Sequence, residues 1–144
     1  MIMENIIQLN NVRKEFQKGT NVVEVLNGVN LSLNQGELIA IICPSGSGKT
    51  TLLQIIGLLD RPTKGDLFIK GVNQIDLTDK SRSRLRNQFF GFVYQFHHLI
   101  NEFSALENTM MPLLVRNEKI KDAKSIAREL LSSVGLHASH NRIS

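Results

Sequence analysis

Leu38-Ile39-Ala40-Ile41-Ile42-Cys43-Pro44-Ser45-Gly46-Ser47-Gly48-Lys49-Thr50-Thr51 is the stretch on which the reading of this chain turns. Its first five residues form a continuous apolar run of strand length, the pattern of a central strand covered on both faces. A turn rich in glycine and serine follows. From Lys49 to about Leu58 the residues read as a helix, ended by Gly57 and the turn at Asp60-Arg61-Pro62. Strand, loop and helix in that order are the setting that the phosphate-loop pattern G-x-x-x-x-G-K-[ST] requires. Glycine at 46 and 48 lets the backbone curl so that successive N–H groups point inward, and the helix start adds its positive end. Ser45, Gly46, Ser47, Gly48, Lys49, Thr50 and Thr51 would then cradle a polyphosphate, with Lys49 reaching the β- and γ-phosphates and the Thr50 hydroxyl on Mg²⁺. The plain alternative is a Gly/Ser turn that merely joins strand to helix.

One position departs from the pattern, which asks for glycine at 43 where this chain has its single cysteine. If the backbone there had positive φ, the side chain would cost about 1–2 kcal/mol and weaken binding, so that Cys43→Gly would tighten it. A catalytic or redox role for Cys43 lacks a second cysteine or a nearby histidine in sequence.

Working outward, residues 6–12 and 22–33 alternate Val, Ile and Leu with polar residues around Gln17-Lys18-Gly19-Thr20-Asn21, which predicts two antiparallel strands and a turn. Residues 67–70 predict a third short strand, closed by Gly71. Lys80, Arg82, Arg84 and Arg86 predict an exposed helix with a solvated basic face, the inner leaflet or partner loops being the alternative. A second apolar strand is expected over residues 89–94. Beyond Gln95 the pattern turns helical. Ser104-Ala105-Leu106-Glu107 fits a capping box, although Asn108 cannot complete a hydrophobic staple with Phe103. Pro112 should limit or kink that helix. Ala123, Ile126, Ala127, Leu130, Leu131 and Val134 follow helical spacing, with Gly135 at the C-cap place. The expected architecture is α/β: a P-loop core with an antiparallel β annex over about residues 1–94, then the start of a helical subdomain over about 95–144.

Composition sets the outer bounds. At 144 residues, 42% hydrophobic and 21% charged, the chain suits one domain or part of one and excludes collagen-like, mucin-like and broadly disordered classes. The net charge of +4 is spread thinly, eleven basic against eight acidic residues up to Gln95 and six against five beyond it, so nucleic acid is not an expected partner. The start lacks a basic and apolar leader pattern, and no run approaches the roughly 18 apolar residues of a membrane span, so any membrane role is expected to be peripheral.

Gly91-Phe92-Val93-Tyr94-Gln95-Phe96-His97-His98-Leu99, with Phe16, the phosphate loop and Asp60-Arg61-Pro62-Thr63-Lys64-Gly65, closely resembles the nucleotide-binding subunits of ABC transporters over about residues 6–144. Glu102-Phe103-Ser104-Ala105-Leu106-Glu107-Asn108 and Met111-Pro112-Leu113-Leu114 add likeness to the subfamily that releases lipoproteins. The resemblance implies ATP and Mg²⁺ as cofactors, Phe16 stacking on adenine, and Gln95 as a supporting catalytic residue near Mg²⁺ and the attacking water. It implies membrane-spanning transporter subunits and a second ATP-binding subunit as partners, at the cytoplasmic face of the inner membrane, with residues 96–99 facing the membrane partner. His97 and His98 suit no metal site, since adjacent side chains on an extended segment diverge. The family's signature segment, Walker B Asp, catalytic Glu and switch His are not among these 144 residues. Ile55-Ile56-Gly57-Leu58-Leu59-Asp60 only imitates a Walker B strand, because it lies on the phosphate-loop helix and turn. The leading expectation is therefore an N-terminal piece of an ATP-binding subunit that energises release of lipoproteins from the cytoplasmic membrane, a piece that by itself binds nucleotide without turning it over. The alternatives are a truncated non-hydrolytic nucleotide-binding fragment and the ATPase subunit of a related exporter with a different cargo. A GTPase or a P-loop kinase is disfavoured by the lack of an N-K-x-D motif and of an Arg-rich lid.

Overall fold

The alternation of Ile7 and Leu9 places both on the buried side of strand β1 (Asn5–Lys18), which turns at Gly19-Thr20 into β2 (Asn21–Asn34). In the computed structural model, which describes residues 5–96 and 98–136, these strands join β3 (Lys64–Ile69) and β4 (Val72–Asn73) in an antiparallel sheet of order β2-β1-β3-β4. Ile7 lies opposite Ile69 and Leu9 opposite Leu67, all four buried, so one face of β1 and β3 is apolar throughout.

The next buried residue of β1 is Val12, three positions on from Leu9. A strict two-residue period would turn Val12 to solvent, and a bulge restores it: the register with both neighbours shifts across residues 10–12 and Asn11 has a left-handed φ of 50°. Asparagine tolerates that conformation. The Asn11 amide donates to Asn30 Oδ1 at 2.9 Å, and Gly65 of β3 lies so close that a Cβ there would stand 2.3 Å from the Asn11 carbonyl. Only glycine fits opposite the bulge.

Helix α1 (Lys49–Ile56) buries Leu52 and Ile55. Its end differs from expectation. Gly57 is the C-cap with an ordinary φ, and Leu58 takes the left-handed position at φ 60°. The Leu58 amide donates to Ile55 O at 3.0 Å and the Leu59 amide to Gln54 O at 2.8 Å, the paired bonds of a Schellman motif. Leu58 is 2% exposed, and burial of its side chain offsets a backbone conformation that glycine would adopt more easily.

Helix α2 (Asp79–Phe89) corrects the reading of its basic residues. Lys80 and Arg84 are exposed, but Arg82 is buried and donates to the carbonyls of Leu58 at 3.0 Å and Asp60 at 2.6 Å. Arg86, half-buried, adds a bond to Leu58 O at 2.9 Å. Positions 82 and 86 are four apart and share a helix face, so this pair clasps the negative C-terminal end of α1. Arg61 ties the same turn to Ile75 O, Leu77 O and Asp79, and its guanidinium holds the Asp79 carboxyl below the usual carboxylate range.

The two apolar runs expected to be buried strands are not strands. Residues 38–42 join no ladder among the described residues, and Leu38 and Ile42 are 96% and 92% exposed. Phe89 ends α2, and residues 90–94 also lie outside any sheet. A strand is stabilised by a neighbour that takes its N–H and C=O groups, and apolar composition alone does not supply one.

Residues 5–86 and 87–136 belong to two compact units. In the second, Phe90, Phe92 and Tyr94 stack in a row, with ring centroids 6.3 and 5.7 Å apart, so alternate side chains share a face even without a ladder. Helix α3 (Ala105–Val115) opens with the expected capping box at Ser104 and Glu107, and it runs through Pro112 to end three residues later. Helix α4 (Ile120–Ser133) packs Ala123, Ala127 and Leu131 against Leu106 and Met110 of α3. Only half of the expected stripe is buried: Ile126, Leu130 and Val134 remain exposed. Gly135 ends α4 at φ 80°, with its amide on Ser132 O and the Leu136 amide on Leu131 O. No helix among the described residues is long and apolar enough to cross a membrane.

Candidate functional site

The phosphate-loop residues take the conformation their glycines allow. Gly46 and Gly48 have φ of 79° and 91°, and Gly48 caps α1. A Cβ at Gly48 would meet Leu26 Cδ2 and the Val25 carbonyl at 2.9 Å, so β2 presses on the loop where it enters the helix. Having no side chain, this cap supplies no acceptor to the first-turn N–H groups of α1, and that turn carries no acidic residue. The helix start thus presents donors and a positive dipole end with no counter-charge of its own.

The Lys49 ammonium is half-buried against this loop and donates to the carbonyls of Cys43 and, at 2.7 Å, Pro44. Ser47 Oγ donates to Pro44 O at 2.6 Å and lies 2.8 Å from Cys43 Sγ. Ser45, Gly46, Ser47 and Thr50 are exposed, and Gly48 and Thr51 are partly so. Cationic head, backbone donors and hydroxyls therefore converge on the start of one helix, a chemistry suited to phosphate oxygens.

The premise of the Cys43 expectation does not hold. Cys43 is not among the residues with positive φ, so its Cβ carries no left-handed strain and replacing it by glycine relieves none.

Phe16 lies on β1, 42% exposed, opposite Val23 of β2. Val23 is two residues, about 7 Å along a strand, from Val25, which touches Gly48. The strand paired with Phe16 thus also borders the loop at Val25. One face of that ring is covered by the Lys14 ammonium, 4.9 Å from its centroid. Lys14 is itself fixed by Asp60 Oδ1 at 2.8 Å and Arg61 O at 2.7 Å. Asp60, the imitation Walker B residue, is thereby engaged as the partner of Lys14. Sequence reasoning passed over Lys14, although its i, i+2 spacing from Phe16 on a strand places both on one face.

Gln95 belongs to the second unit, at an exposed bend. His98 has a φ of 48°, not the extended conformation expected there, and meets the Tyr94 ring edge-on at 5.1 Å. His97 lies outside the described residues. Among the described residues no three His, Cys, Asp or Glu side chains group as metal ligands.

The sequence pattern of ABC transporters matches residues 26–144. The chain belongs to the ABC transporter family. Its relatives include the lipoprotein-releasing system ATP-binding proteins LolD of Alcanivorax borkumensis, Legionella pneumophila strain Lens and Bordetella pertussis. They are 48%, 53% and 50% identical over 91%, 85% and 92% of this chain. This ABC transporter chain spans 58%, 54% and 57% of their respective lengths. Its fold superposes on the ATP-binding cassette MJ0796, solved as a dimer in a post-hydrolysis state with ADP and Pi, at a TM-score of 0.86 and 35% identity, covering 95% of this chain and 61% of that one. A second dimeric structure of MJ0796 gives 0.84 and 36%, covering 93% and 59%. The α/β reading with an antiparallel annex agrees with this family fold.

Proposed function

We propose that this chain is the ATP-binding part of a transporter subunit that energises release of lipoproteins from the cytoplasmic membrane, peripheral to membrane-spanning subunits and paired with a second ATP-binding subunit. The observation that carries the ATP-binding reading is the left-handed Gly46–Gly48 loop with the Lys49 ammonium lying against it at the uncapped start of α1. The names of the relatives support the cargo. In this reading the N–H groups of residues 45–51 and the Lys49 ammonium bind the triphosphate, and the Phe16 ring stacks on adenine. The exposed Thr50 hydroxyl, a hard oxygen donor, is suited to Mg²⁺, which would neutralise phosphate charge when bound. Gln95 would orient water, and Phe96, which is 69% exposed, would contact the membrane partner together with Leu99.

The test separates charge from stacking. Lys49→Ala should weaken ATP far more than adenosine, whereas Phe16→Ala should weaken both by about 1–2 kcal/mol, measured by NMR titration of residues 1–144. Unchanged ATP affinity in Lys49→Ala would refute the reading. For the membrane partner, joint replacement of Phe96 and Leu99 by Ser should reduce co-purification with the transporter's membrane subunit and spare nucleotide binding.

A further inference from the structure

The Lys14 side chain does three things at once. Its ammonium lies over the Phe16 ring, bonds the Asp60 carboxylate and bonds the Arg61 carbonyl, and the side chain is only 12% exposed. Asp60 and Arg61 belong to the turn that follows α1, the helix whose other end is the phosphate loop. That turn is in turn gripped by Arg82 through the Asp60 carbonyl. A lysine on an open strand surface would sweep many rotamers; held by two oxygen acceptors, this one presents a fixed cation to one face of Phe16.

We propose that Lys14 is a positioning residue for the base of a bound nucleotide: it braces Phe16 from one face so that a purine stacks on the other. The proposal rests on the ATP-binding reading and names the device that prepares its adenine subsite. Two physical effects act together. The cation restricts the ring, so that less rotamer freedom is lost when a base stacks on it. It also covers one face of the ring of Phe16, a residue 42% exposed, and leaves the opposite face as the stacking surface. Because Lys14 is tied to the turn at the far end of α1, the aromatic platform and the phosphate loop are referred to one helix. Lys14 does not act by attracting phosphate: its charge is already paired with Asp60.

The experiment compares ligands with and without a base. NMR titrations of residues 1–144 with Mg·ATP and with inorganic tripolyphosphate would be run on the unaltered chain, Lys14→Met, Lys14→Arg, Phe16→Ala and the Lys14→Met/Phe16→Ala pair. Lys14→Met should weaken ATP roughly two- to ten-fold and leave tripolyphosphate unchanged. Lys14→Arg, which retains the cation, should restore most of the affinity. In the Phe16→Ala background the Lys14 effect should vanish, because the ring through which it acts is gone. Equal loss for ATP and tripolyphosphate, or additive effects of the two substitutions, would overturn the proposal while leaving ATP binding intact. Absence of ATP binding by the unaltered chain would overturn both readings. If Lys14→Met fails to fold, Lys14→Gln, which also removes the cation, takes its place with the same expected and overturning results.

Discussion

The Asn108 side chain and the Ile100 backbone hold each other in both directions: the Ile100 amide donates to Asn108 Oδ1 at 2.9 Å, and Asn108 Nδ2 donates back to Ile100 O at 3.1 Å. Asn108 stands at the position of α3 where a hydrophobic staple would place an apolar partner for Phe103. A polar staple takes its place, since Nδ2 also reaches Phe103 O at 3.1 Å. The chain entering the capping box is therefore fixed by hydrogen bonds to its backbone.

From this pair follows the first prediction. Asn108→Ala should destabilise the unit containing α3 and α4 by about 1–2 kcal/mol, because it removes the acceptor of the Ile100 amide and the Nδ2 bonds to the Ile100, Phe103 and Ser104 carbonyls at a partly solvated site. Urea unfolding followed by circular dichroism measures it, and an unchanged midpoint would show that the staple contributes nothing.

Glu107 answers to pH. Its carboxylate accepts from the Ser104 hydroxyl at 2.6 Å and the Ser104 amide at 2.8 Å, and those bonds hold its pKa below the ordinary value. A depressed carboxyl contributes stability that is fully present above its unfolded pKa of about 4.3 and is lost as pH falls through the lower folded value. Thermal melts of the chain and of Glu107→Gln should therefore differ most at neutral pH and converge on acidification through that range.

Arg82 is expected to matter for stability more than its surface neighbours. Arg82→Met keeps much of the buried volume but leaves the Asp60 carbonyl without its partner and the Leu58 carbonyl with Arg86 alone, at a cost of about 1–3 kcal/mol. Arg84→Met, on the exposed face, should change the unfolding midpoint by less than about 0.5 kcal/mol in equivalent terms. Similar losses for the two would contradict the clasp.

Cys43→Gly should not tighten ATP binding. The backbone at 43 already has an unstrained φ, and glycine would only enlarge the freedom of the unbound loop. Calorimetric or NMR titration showing a gain of tenfold or more would indicate strain that the geometry does not contain.

Short-range chemistry made much of this molecule legible in its residues. The hairpin of β1 and β2 rests on alternation and a turn, the α3 start on a serine three residues before a glutamate, and the α4 end on Gly135; each is settled within a few residues. The conformation of the glycine loop belongs with them, since the positive φ of Gly46 and Gly48 needs only local backbone freedom. Tertiary structure decided what needed a partner distant in sequence. The bulge at Asn11 is tied to the close approach of Gly65, and the left-handed Leu58 to burial and to Arg82 and Arg86 from another helix. Residues 38–42 are apolar enough for a strand, yet among the described residues no ladder takes their backbone groups, and composition cannot supply one. Lys14 shows the same division within the candidate site. Its spacing from Phe16 is local, but the acceptors that hold it, Asp60 and Arg61, lie more than forty residues away, and only folding brings them within hydrogen-bond reach.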